Sequence, residues 1–134
     1  MNDKKILYHI TTYPEWNAAK STSEYLPQGF AEDGFIHCSY RHQILTVAHR
    51  FYKGQNGLVI LVIDSSKINS SHKLLSDRTT EPTVTDILVE ENLEGGTELY
   101  PHLYCSLPIN SVVEAVAFPC NLDGSFVLPK QLKT

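Results

Sequence analysis

A chain of 134 residues, 42% of them hydrophobic, is long enough for one domain over 1–134 with a core that needs neither disulfides nor metal. Eleven Lys and Arg against fifteen Asp and Glu leave a formal net charge of −4, which argues against nucleic-acid binding over the whole surface, since phosphate contacts need clustered cations. No apolar run approaches the roughly 20 residues that cross a bilayer, and no secretory-type apolar segment follows Met-Asn-Asp-Lys-Lys. Cys38, Cys105 and Cys120 lack metal-knuckle spacing and read as inert core thiols in a reducing compartment, so a cytoplasmic location is expected.

Ile6 to Ile10 reads as a short apolar strand. Thr12-Tyr13-Pro14-Glu15 then predicts a helix start, with Thr12 as N-cap, Pro14 in the first turn and Glu15 as capping-box partner. That helix should run to about Lys20 and turn Trp16 and Ala19 toward the core. Between Ser21 and Asp33, Pro27 and Gly29 among mixed polar residues predict an irregular connection, which delivers the chain to a short buried strand at Gly34-Phe35-Ile36-His37-Cys38-Ser39. Ser39 should cap a helix over Tyr40 to Lys53, whose apolar stripe is Ile44, Ala48 and Phe51 widened by Leu45 and Tyr52, with Gly54 at its C-terminal stop.

Leu58 to Ile63 is an unbroken aliphatic run between Gly57 and Asp64, the pattern of a strand covered on both faces, and should form the centre of a sheet. Ser65 to Glu81 is polar, with a brief edge strand at Lys73-Leu74-Leu75. Further strands are expected at Ile87 to Glu91, Glu98 to Cys105 after a Gly95-Gly96 turn, Val112 to Phe118, and Phe126 to Leu128 after Asn121-Leu122-Asp123-Gly124. Many strands with about two early helices define an α+β class.

His9, His37 and His102 all lie in strand-like contexts, where an imidazole is suited to a ribose hydroxyl, a phosphate or a metal, or simply to a backbone partner in the core. His37, Cys38, His42 and His49 are the metal candidates, but the spacing matches no His-Glu-x-x-His or CxxC pattern, so no metal is assigned. His42 and His49 share one helix face, expected to be the less buried one. A Cys38 nucleophile lacks an orienting third group. Among the carboxylates Glu90, Glu91, Glu94 and Glu98, Glu98 is the one at a strand start before Tyr100-Pro101, suited to stabilising positive charge on a neighbouring sugar.

Tyr8-His9-Ile10-Thr11, the FIHCS segment at 35–39, the Leu58 to Asp64 strand and the Glu98 to Tyr104 segment together resemble the DUF952 family, from about Leu7 to Val113. That family's fold is similar to the ADP-ribosyltransferase superfamily, a split and mostly antiparallel sheet, and the order of elements looks most like the RNA 2′-phosphotransferases and more remotely the poly-ADP-ribose polymerases. The resemblance implies a pocket for NAD, as substrate, or for an ADP-ribose-related nucleotide. His9, Thr11, Ser39 and His102 would bind the ligand, and His37 and Glu98 would carry catalysis, with Glu91 competing for the carboxylate role. Arg41, Arg50 and Arg78 are the chain's arginines and do not reproduce the phosphotransferase set, which speaks against 2′-phosphotransfer. An NAD- or ADP-ribose-related enzyme and a non-catalytic nucleotide- or modified-macromolecule-binding module both remain open.

Overall fold

The computed structural model of the protein describes residues 6–27, 29–68, 88–92 and 96–132. In chain order these form β1 (Ile6–Thr12), α1 (Tyr13–Ala19), β2 (Glu24–Tyr25), α2 (Phe30–Asp33), β3 (Ile36–His37), a 3₁₀ turn (Arg41–Gln43) leading into α3 (Ile44–Phe51), β4 (Leu58–Asp64), β5 (Leu88–Glu91), β6 (Tyr100–Leu103), β7 (Leu107–Pro108) and β8 (Val112–Phe118). The described strands pair antiparallel in the orders β1-β4-β8, β3-β6-β5 and β2-β7. Two main helices against antiparallel sheets make an α+β fold, the class expected from the sequence.

β4 is central because both of its faces are covered. Val59, Leu61 and Ile63 pack with Leu7, Trp16, Tyr25 and Ile36 on one side. Leu58, Ile60 and Val62 meet Ile44, Val47 and Ala48 of α3, together with Val116 and Phe118, on the other. A strand buried twice has no reason to alternate, which is why it reads as a plain aliphatic run. Thr12 caps α1, its hydroxyl accepting from the Glu15 N–H at 3.3 Å, and the Glu15 carboxylate accepts from the Thr11 hydroxyl at 3.3 Å.

The two larger sheets meet at one backbone bridge. Tyr8 N–H donates to the Ser39 carbonyl at 2.8 Å and Ser39 N–H to the Tyr8 carbonyl at 2.7 Å, tying β1 to the segment just after β3. This bridge corrects the expected helix start. With both backbone groups committed to Tyr8, Ser39 stays extended, and the turn opens one residue later, where Gln43 Oε1 accepts from the Tyr40 N–H at 2.9 Å.

Phe51, expected in the core stripe, is 51% exposed, and Val47 takes the buried place instead. The connection read as irregular contains β2 and the single turn α2, which Gly34 ends in a left-handed conformation at φ +82°. Phe126–Leu128 joins no ladder among the described residues; Phe126 instead stacks on Phe118 with centroids 4.7 Å apart. The edge strand expected at Lys73-Leu74-Leu75 lies outside the described residues.

Candidate functional site

The Tyr8–Ser39 bridge sets His9 against β3. His9 Nδ1–H donates to the His37 carbonyl at 2.7 Å, because a carbonyl can only accept. Its Nε2 lies 2.9 Å from the Tyr25 hydroxyl, which in turn lies 2.9 Å from the Thr11 hydroxyl oxygen. Burial holds the His9 imidazole below its ordinary value and pushes the Tyr25 phenol up, so this chain is built from neutral groups. His9 Nδ1 and the Thr11 hydroxyl are engaged within the protein, and the one Tyr25 proton is shared between Thr11 Oγ1 and His9 Nε2, although both residues line the cavity beside His37. Ser39 is buried by the bridge and lines a neighbouring cavity with His9, His37, Val47 and Phe51.

The His37 ring stands where these spaces meet. It lines three adjoining cavities and is walled by Phe51, Tyr100 and His102, with ring centroids 6.2, 5.6 and 5.0 Å away. Burial first, then the neighbouring His102 and His9, bring its pKa down to about 4, so near neutrality it is an uncharged imidazole.

His102 sits opposite His37 in the β3–β6 register, which is why these two residues share a wall. Its Nδ1–H donates to Glu91 Oε1 at 2.9 Å, and the same oxygen accepts from the Tyr104 hydroxyl. The Phe35 ring lies stacked on His102 with centroids 4.0 Å apart and an interplanar angle of 15°. His102 Nε2 is buried with no hydrogen-bond partner. Partial burial acts to raise the Glu91 pKa, but the hydrogen bonds from Tyr104 and His102 outweigh it and hold the carboxyl below its ordinary value.

Glu98 is placed elsewhere. Its Oε2 accepts from Gln43 Nε2–H at 2.8 Å and lies 3.3 Å from His42 Nε2, and it is not among the residues lining the His37 cavities. Buried Gln43 also donates to the Leu99 carbonyl at 2.7 Å, which pins the segment before β6 to the turn leading into α3, and the Asn92 amide donates to the Glu98 carbonyl at 2.8 Å, which ties it to the end of β5. Of Glu91 and Glu98, Glu91 is the one that lines a His37 cavity, while Asp33 and Glu15 line the adjoining ones.

No group of three or more His, Cys, Asp or Glu among the described residues is disposed to hold a metal ion. His42 and His49 are exposed, and His49 Nε2 accepts from the Phe126 N–H at 2.9 Å. Burial drives the Cys38 thiol far above its ordinary value, which removes it as a thiolate nucleophile. Tyr25, the buried hydroxyl that orders His9, carries no local signal because it stands alone in a polar stretch, and Phe35 reads only as part of an apolar strand.

Fold and site together define an α+β protein in which two antiparallel sheets meet at a histidine-lined, aromatic-walled cleft. The chain belongs to the DUF952 family, described as a protein of unknown function, whose model matches residues 10–115. It is similar to protein CC0527 from Caulobacter crescentus. The crystal structure of a double mutant of that protein is 26% identical, with a TM-score of 0.74, over 96% of this chain and 99% of that one. A second crystal structure of CC0527 gives a TM-score of 0.72 at the same identity and coverage, and its solution NMR structure 0.69 over 90% of each chain. No curated protein matches the chain. Among the described residues no helix is long and apolar enough to cross a membrane.

Proposed function

We propose that the cleft around His37 binds an NAD- or ADP-ribose-related nucleotide. The observation that carries this reading is the convergence of three cavities on one uncharged imidazole walled by Phe51, Tyr100 and His102. Aromatic faces suit a flat base or nicotinamide ring, and a few inward polar groups suit ribose hydroxyls, the usual make-up of a small-molecule site. Arg50 lines the same cavity as His37 and supplies a cation for phosphate. The resemblance of His9-x-Thr11 and His37-Cys38-Ser39 to ADP-ribosyltransferase strands adds to the reading. In it, His37 and Ser39 face the ligand, while His9 and Thr11 order the wall behind them.

Binding without cleavage is favoured by Glu98, whose carboxylate is engaged by Gln43 and His42. Cleavage of a glycosidic bond is the second reading, favoured by Glu91, an ionised carboxylate in the cleft of the kind that stabilises positive charge on a sugar. Thermal unfolding with NAD and with ADP-ribose tests the shared claim: ligand at 100 times its dissociation constant should add about 2.7 kcal/mol of stability. His37→Ala should weaken that ligand about tenfold or more, equal to about 1.4 kcal/mol. No response of the wild type to either nucleotide would end the proposal, and nicotinamide release from NAD separates the two readings.

A further inference from the structure

The β5–β6 wall of the cleft carries chemistry that nucleotide binding in general does not require. A carboxylate only accepts, so the Glu91 contact at 2.9 Å fixes a proton on His102 Nδ1, and in a neutral imidazole Nε2 is then left with a lone pair. The ring is 3% exposed and lines the cavity with His37, Phe35 and Tyr100, yet its Nε2 is buried without a partner. A buried acceptor lacking a donor is uncommon in a native fold, and because Nε2 is closed to water in this conformation, a donor reaches it only as the ring wall around it gives way. The cavity measures about 90 Å³, several times the ~15 Å³ that one water needs. That is less than the ~150 Å³ of a cavity that encloses benzene, so the compartment takes one edge of a flat ring, the rest lying in the open cleft, and not a dinucleotide.

We propose that this compartment takes the edge of an aromatic nitrogen ring bearing an exocyclic N–H donor, and that His102 Nε2, fixed as an acceptor by Glu91, receives that N–H. The inference rests on the nucleotide reading and names the part of the ligand that the cleft selects. Phe35 and Tyr100 supply the faces against which such a ring stacks. Selection comes from the orphan acceptor: a ring without the donor leaves Nε2 unpaired, and a site built for a hydrogen bond discriminates against such an analogue more sharply than an apolar pocket discriminates by size. Either end of an NAD-type nucleotide presents this chemistry, adenine through its amine and nicotinamide through its carboxamide.

Two ligand pairs distinguish the ends: adenosine against purine riboside, which lacks the amine, and nicotinamide against 3-acetylpyridine, in which a methyl replaces the amide nitrogen. Affinities are measured on the full chain, with imidazole resonances followed by NMR. At least one donor ligand should bind about 10- to 100-fold more tightly than its partner, the cost of leaving one buried acceptor unpaired, and the preference should collapse in His102→Leu. Glu91→Ala alters a partly exposed side chain and releases the imidazole tautomer, so it too should shrink the preference, and it decides the matter where His102→Leu does not fold. Equal affinity within both pairs, or a preference that survives both variants, would overturn the acceptor rule. If His37 still responds to ADP-ribose in that case, the nucleotide reading stands. If His37 is silent to NAD, ADP-ribose and both pairs, the two proposals fall together.

Discussion

His9 Nδ1 lies 2.7 Å from the carbonyl oxygen of His37, so a buried imidazole in one sheet holds the backbone of the cleft histidine in the other. The Tyr8–Ser39 bridge brings these strands together, and the Tyr25 hydroxyl closes the far side of the His9 ring at 2.9 Å. His9 is thereby a positioning residue, and its effect on a ligand passes through His37.

The first consequence concerns stability. His9→Ala removes a buried ring and takes the donor from the His37 carbonyl, while the Tyr25 hydroxyl keeps Thr11, which should cost about 2–4 kcal/mol. Tyr25→Phe keeps the ring against Trp16, 6.4 Å away, and deletes only the hydroxyl, for an expected loss of about 1–2 kcal/mol. Urea unfolding measures both. A Tyr25→Phe protein as stable as wild type would mean that the hydroxyl holds nothing in place.

The second is a pH dependence. His37 titrates at about 4 in the folded protein against an ordinary 6.5, chiefly because it is buried. The unfolded chain takes up a proton in that window and the folded chain does not, so stability is complete above about 6.5 and declines as the pH falls toward 4. His9, also lowered by burial, acts in the same direction. At pH 5 the His37 contribution should be on the order of 1–2 kcal/mol. Glu91 acts lower still: its stabilisation is present above its ordinary 4.5 and is lost as the pH falls further. Urea midpoints between pH 7 and pH 5 should fall for wild type and fall less for His37→Phe; identical slopes would show that His37 is not the group responsible.

The third isolates the delivery of Phe35 to His102. Gly34 ends α2 at φ +82° with nothing within 4 Å of where a Cβ would stand, so Gly34→Ala is resisted by the backbone alone. The cost should be about 1–2 kcal/mol, seen as a lower denaturant midpoint with an unchanged slope. A stability gain would show that this backbone conformation is not needed.

Much of this architecture was written in local pattern. β4 announced itself because burial on both faces leaves no polar positions, and α1 because Thr12 and Pro14 carry its capping chemistry within a few residues. The seam was not legible, since it depends on Tyr8 meeting Ser39 across 31 positions and local propensity says nothing about that partner. Phe51 has the same helical spacing from Ile44 and Ala48 as a core residue, yet α3 ends at the cleft mouth and leaves the ring as a wall. The choice between Glu98 and Glu91 turned on Gln43, a side chain whose reach to Glu98 and Leu99 has no sequence signature.

That choice gives the last prediction. The Glu98 carboxylate accepts from Gln43 and lies against His42, and an amide oxygen can still accept from Gln43, so Glu98→Gln should change stability by less than about 1 kcal/mol. Because its carboxylate is not part of the His37 wall, the affinity for ADP-ribose should stay within about twofold of wild type, well under 1 kcal/mol. Glu91→Gln is different in kind: it removes the charge that holds His102 Nδ1–H and accepts from Tyr104. If NAD is cleaved, Glu91→Gln should lower nicotinamide release by about 10²-fold or more, since charge is lost where positive charge develops, while Glu98→Gln should leave the rate nearly unchanged. Both variants are assayed for ADP-ribose affinity and for nicotinamide release. A large loss of release in Glu98→Gln with Glu91→Gln unaffected would return the catalytic role to Glu98 and require the segment before β6 to move into the cleft when ligand binds.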